Sequence, residues 1–110
     1  MKLSFIALLM FLAALALAQQ AMPRMTTIEP PNGKAGDVLT VAGENLAKPA
    51  VAKLYLTDGK NDLECVVTDQ TATAIKIKIP AKATGRMAIM ILTGGKEPRL
   101  IEQPVKVTIE

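Results

Sequence analysis

The chain contains no histidine, so the usual general base near neutral pH is missing. Its only serine is Ser4, in an apolar N-terminal run, and its only cysteine is Cys65. With no imidazole to activate either side chain, Ser-His or Cys-His nucleophilic catalysis is excluded within one chain. A pair of carboxylates could in principle cleave a glycoside. Most of the acidic residues, however, fall in turns or on the outward side of alternating stretches, where a solvated surface accounts for them. Gly94-Gly95 lacks the Lys-Ser/Thr signature and following helix of a phosphate-binding loop. Asp58, Asn61 and Asp62 offer oxygens, but not at the alternate-residue spacing of a calcium loop; a hairpin turn explains the same residues. Met22 and Met25 carry soft thioether donors suited to Cu(I), yet no histidine accompanies them and they read as part of a flexible lead-in. The sequence therefore predicts no enzyme, no cofactor and no metal.

The scaffold that positions the remaining side chains reads as β throughout. Ala74-Ile75-Lys76-Ile77-Lys78-Ile79 alternates perfectly, three isoleucines on one face and two lysines on the other. Val51–Thr57 puts Ala52, Leu54 and Leu56 inward and Lys53, Tyr55 and Thr57 outward. Leu63–Thr68 and Val105–Ile109 are also strands, and Glu102-Gln103-Pro104 predicts a split or bulged last strand at a sheet edge. Asp58-Gly59, Asp69-Gln70-Thr71 and Gly94-Gly95 supply turns. The stretch Ile28-Glu29-Pro30-Pro31-Asn32-Gly33-Lys34-Ala35-Gly36-Asp37-Val38-Leu39-Thr40-Val41-Ala42-Gly43-Glu44-Asn45-Leu46 reads as strand end, proline turn, glycine turn, alternating strand, bend at Gly43, and a returning apolar anchor at Leu46. This stretch resembles the opening of an IPT/TIG domain, and the resemblance extends over Thr27–Glu110. It implies an all-β, immunoglobulin-like antiparallel sandwich of about seven strands. There is no cysteine pair and no tryptophan, which separates the chain from antibody-type domains. Phe5 and Phe11 both precede the domain, so its core must be aliphatic. Cys65 reads as a small buried hydrophobe, or else as one half of an intermolecular disulfide.

Arg86-Met87-Ala88-Ile89-Met90-Ile91-Leu92 is apolar on both faces, more than one buried face requires. With Met87, Ile89 and Ile91 inward, Ala88, Met90 and Leu92 line the outside. The resemblance places this strand, the sixth, between the third and the seventh, so Lys53 and Tyr55 flank it on one side and Lys106 and Thr108 on the other. The expected result is a small apolar strip around Tyr55, Met90 and Leu92, bordered by Lys53 and Lys106, a candidate interaction surface. A register shifted by one residue would expose Met87, Ile89 and Ile91 instead.

Residues 1–18 read as a cleaved signal peptide: Lys2, an apolar run from Leu3, and Ala16-Leu17-Ala18 as an A-x-A cleavage site. The uncharged run is shorter than the ~20 residues a bilayer requires, so no transmembrane anchor is expected after cleavage. Residues 19–26 read as a flexible lead-in and 27–110 as one domain. The formal net charge of +3 falls by one with the leader and is spread along the chain, which gives no footprint for nucleic acid. These readings converge on a secreted or periplasmic module without catalysis. Its expected partner is an envelope or secreted protein, or a second copy of itself. A carbohydrate-associated accessory module is the alternative, weakened because Tyr55 is the only aromatic residue beyond the leader.

Overall fold

The computed structural model describes residues 22–110; the leader assigned to residues 1–18 lies outside the described residues. Strands run β1 Arg24–Glu29, β2 Asn32–Gly33, β3 Val38–Glu44, β4 Lys53–Thr57, β5 Asp62–Glu64, β6 Val66–Gln70, β7 Ala74–Lys78, β8 Gly85–Leu92 and β9 Leu100–Ile109. They form two sheets, ordered β1-β3-β7-β6 and β2-β9-β8-β4-β5. All pairings are antiparallel except β2 with β9. This is the expected all-β, immunoglobulin-like sandwich.

The core is aliphatic because alternate residues of both sheets point inward. Leu39 and Val41 of β3 and Ile75 and Ile77 of β7 face Leu54 and Leu56 of β4 and Ile89 and Ile91 of β8, all eight fully buried. Burial of each such side chain contributes about 1.5–3 kcal/mol. Leu46 is likewise fully buried. Asn45, at φ 58°, turns the chain back there, and the Leu46 amide donates to the Ala72 carbonyl at 2.9 Å. Gln70 holds the following loop, its Nε2 donating to the carbonyls of Leu46 and Val51 at 2.8 and 3.0 Å.

The described residues form nine strands where about seven were expected, for identifiable reasons. Leu63–Thr68 is not one strand: it divides at Cys65, β5 pairing with β4 in one sheet and β6 with β7 in the other. Asn32-Gly33, expected only as a turn, also pairs with the end of β9. Pro30 and Pro31 have no amide to continue the first sheet, so the chain changes sheet there, and the Thr108 amide donates to the Pro31 carbonyl at 3.0 Å. The first strand begins at Arg24 and Met25 is fully buried, so Arg24–Thr26 belong to the sheet and not to a lead-in. Gly43 makes this possible. β1 is bulged opposite Gly43 and Ala42, and a Cβ at Gly43 would run into the Arg24 carbonyl oxygen.

Cys65 sits at the crossover, 4% exposed. Its amide donates to the Leu54 carbonyl at 2.8 Å, and burial pushes its thiol up to about 12. That environment is the one expected for a small buried hydrophobe, with the thiolate needed for exchange chemistry disfavoured.

Candidate functional site

The outer face of the β5-β4-β8-β9 layer is built by three rows of paired residues. Glu64, Tyr55, Met90 and Glu102 lie side by side across four strands. Next along the strands, Lys53 pairs with Leu92 and Leu92 with Leu100. On the other side of the central row, Asp62, Thr57, Ala88 and Lys106 follow one another. The inward set of β8 is Met87, Ile89 and Ile91, at 3%, 0% and 0% exposure, so the unshifted register holds.

The six residues singled out from sequence are thus brought onto one face, but not on equal terms. Tyr55, Met90 and Leu92 are half-buried and contiguous, and Lys53 and Lys106 are exposed. Ala88 is on this face yet only 8% exposed. It floors a shallow cavity together with Thr57, beneath Arg86, Glu102 and Lys106, so it supports the surface and does not present it. Thr57, expected in solvent, is buried as well, its Oγ accepting the Gly59 amide at 3.1 Å.

Three members of the face were missed in the sequence reading. Leu100 extends the apolar strip and is 55% exposed. Glu64 and Glu102 close its central row on either side, so the border is of mixed sign and not a rim of lysines alone; Lys53 Nζ lies 3.6 Å from Glu64 Oε1. The expected neighbour Thr108 is on this face but beyond Ala88, paired with Arg86. A bulge in β9 sets Glu102 beside Met90. Ala88 pairs with Lys106 but Met90 pairs with Glu102, so Gln103, Pro104 and Val105 together oppose Ile89 alone. Pro104 has no ladder donor to lose. Gln103 points inward, 5% exposed, and its Oε1 accepts the Met25 amide of the opposite sheet at 2.7 Å. The alternation of Leu100-Ile101-Glu102-Gln103 was the available signal for Leu100 and Glu102, masked by Pro104.

Other surfaces are less suited to a partner. On the opposite sheet Val38 and Val66 are exposed but separated by Lys78, with which both pair. The free edge strand β6 is bulged at Thr68, and the Gln70 amide is taken by Asp69 Oδ1 at 3.0 Å. Bulges and charged residues are common guards against edge pairing.

The Asp58–Asp62 loop is explained by its own hydrogen bonds. Asp58 Oδ1 accepts the amides of Asn61 and Lys60 at 2.7 and 2.8 Å, and these bonds hold its carboxyl below the ordinary aspartate range. Met22 is exposed while Met25 is fully buried, which separates the two thioethers.

The sandwich is shared with larger proteins. A structural-genomics protein of unknown function from Bacteroides thetaiotaomicron superposes with a TM-score of 0.69 at 19% identity, covering 84% of this chain and 22% of that one. The gamma-CGTase of alkalophilic Bacillus clarkii gives 0.64 at 18% identity, with 81% and 12% covered. SGBP-B of the Bacteroides ovatus mixed-linkage glucan utilization locus, in complex with a mixed-linkage heptasaccharide, gives 0.51 at 22% identity, with 73% and 21% covered. The chain thus spans less than a quarter of each of these proteins, and the likeness is one of fold. No curated protein matches it. The match to the IPT/TIG domain family runs over residues 23–109, nearly all of the described chain, and the protein belongs to that family.

Proposed function

We propose that this protein is a non-catalytic binding module that acts outside the cytoplasm and recognises a protein partner, or a second copy of itself, through the outer face of β4, β8 and β9. The observation that carries the reading is the contiguous strip Tyr55, Met90, Leu92 and Leu100, half-buried or exposed on a sheet face with nothing packed over it among the described residues. Apolar patches with charged borders mark interaction surfaces, and tyrosine is a frequent anchor in them. The absence of histidine from the sequence supports a role without acid-base chemistry. The leader-like residues 1–18 support export, to the periplasm or beyond. The modest net charge gives no support to nucleic acid as a partner.

A second reading is a carbohydrate-associated accessory module of the cell envelope. The similarity to SGBP-B, seen with its heptasaccharide, favours it, and Tyr55 would be its one stacking platform. A single aromatic residue offers little surface to a sugar chain, so the protein-binding reading leads.

The test is capture by immobilised Gln19–Glu110 from envelope and secreted fractions, with the double variant Met90→Lys and Leu92→Lys beside it. A protein retained by the wild type and lost by the variant, with unchanged circular dichroism, is the expected result. Retention unaffected by the variant would remove this face. Retention of glycan alone would favour the second reading.

A further inference from the structure

We infer that Asn32-Gly33 is a self-modification site, where the Gly33 amide nitrogen attacks the Asn32 side-chain carbonyl under the control of the β2–β9 pairing. The site stands apart from the apolar strip, and neither reading depends on the other. In the step itself a bond forms between Gly33 N and Asn32 Cγ, the Cγ–Nδ2 bond breaks, and ammonia leaves with the amide proton. Water then opens the cyclic imide at either carbonyl. The products are aspartate, or isoaspartate with the main chain rerouted through the side-chain carbons. Water is the only co-reactant, and nothing is oxidised or reduced.

The chain has three asparagines, Asn32, Asn45 and Asn61, and the residue after each decides its reactivity. Asn45 precedes Leu46, whose side chain is fully buried and whose amide donates to the Ala72 carbonyl at 2.9 Å. Asn61 precedes Asp62, whose side chain crowds the attacking nitrogen and whose carboxylate opposes loss of its proton. The Asn61 amide is in addition held on Asp58 Oδ1 at 2.7 Å. Asn32 is exposed and precedes glycine, the residue that leaves its amide nitrogen least shielded and its backbone most free to turn. Nucleophile and carbonyl sit on adjacent residues, so the attack is intramolecular and gains the advantage of proximity.

Folded β2 holds this reaction back. The Pro31 carbonyl accepts the Thr108 amide at 3.0 Å and the Gly33 carbonyl accepts the Glu110 amide at 2.8 Å. The peptide groups before Asn32 and after Gly33 are thus pinned along β9, which keeps the pair extended. Ring closure requires the peptide between them to rotate out of that conformation. Yet β2 is only two residues long and lies at the sheet edge, the kind of element that opens without global unfolding. Modification therefore proceeds through opening of β2, and is slower than in the unfolded chain by the opening equilibrium. It is also one-way. Isoaspartate lengthens the main chain by a methylene, so the Pro31 and Gly33 carbonyls no longer match the spacing of the Thr108 and Glu110 amides. Gly33 packs so closely on Ile79 that a Cβ there would sit 3.1 Å from its Cδ1, and release of β2 uncovers this buried corner of the core.

The test is peptide mapping by mass spectrometry of the purified protein, aged at one pH and temperature both folded and unfolded in guanidinium chloride. Asn32 should convert ahead of Asn45 and Asn61 in both states, and at least about tenfold faster in the unfolded chain. The ratio of its two rates should match the amide-exchange protection of Thr108 and Glu110 in the folded protein, since one opening governs both. In the isoaspartate fraction those two amides should lose their protection while Val41 and Ile77 in the core keep theirs. Gly33→Ala, compared with wild type in guanidinium chloride where folding plays no part, should slow conversion at least about tenfold. Asn45 or Asn61 converting as fast as Asn32 would overturn the inference. So would equal rates in the folded and unfolded protein, or a ratio far from the measured protection. Protection kept at Thr108 and Glu110 in the isoaspartate fraction would overturn the one-way release of β2.

Discussion

Replacing Gln103 by methionine isolates the bond that ties the two sheets together beside the candidate face. Methionine keeps the length and near-volume of the side chain, so packing changes little. What is lost is the acceptor for the Met25 amide, 2.7 Å from Gln103 Oε1 and buried with it. That amide lies where β1 is bulged against β3, and Gln103 is the partner it has. Leaving a buried donor unpaired costs about 1–3 kcal/mol. Each kcal/mol moves the thermal midpoint of a domain of this size by roughly 4–8 °C. Urea denaturation should show that loss with an unchanged m-value, and amide exchange at Met25 should quicken by more than at Val41 or Ile77 in the core. A loss below about 0.5 kcal/mol, within the range of ordinary surface substitutions, would refute the reasoning, because it would mean that the amide finds water or another acceptor at no cost.

Other outcomes follow from the same geometry. Gly43→Ala should destabilise by on the order of 3 kcal/mol, since the added methyl displaces β1 at Arg24; near-wild-type urea stability would show that β1 yields freely. Cys65 gives a pH dependence of known sign. Burial raises its folded-state thiol to about 12, so the stability it contributes is complete below the unfolded value near 9 and drains away as pH rises toward 12. The stability difference between wild type and Cys65→Ala should therefore change by about 2 kcal/mol against the wild type between pH 8 and pH 10.5, and a constant difference would contradict that burial. Asp58 should titrate by NMR below the ordinary aspartate value, because the amides of Asn61 and Lys60 favour its ionised form; a normal or raised value would show that the turn is open in solution.

The sandwich was legible because its information is local. Ile75-Lys76-Ile77-Lys78 declares one buried face by alternation alone, and the inward set of β8 followed from the same period. Leu46 could be expected to return to the core because a glycine and an asparagine precede it. The division at Cys65 was not legible, since Leu63–Val67 is continuous in composition and only the competing partners β4 and β7 split it. Tyr55, Met90 and Leu92 share one outer face, as alternation and one pairing lead one to expect. The borders depend on more than alternation. Glu102 takes the place beside Met90 because three residues of β9 oppose one of β8, and a bulge offset is set by the tertiary contact of Gln103 with Met25. Ala88 and Thr57 disappear from the surface because long neighbours close over small ones, which alternation does not reveal.

Methionine footprinting tests the face most directly, because the chain carries its own controls. Met90 is half-buried on the strip, Met22 is exposed away from it, and Met25 and Met87 are buried. Mild peroxide oxidation followed by mass spectrometry would be compared for the free protein and for the protein at concentrations, or with a captured partner, where association is established. The account predicts that Met90 becomes protected on association while Met22 oxidises at its former rate. Met90 oxidising equally fast in the associated state would contradict it.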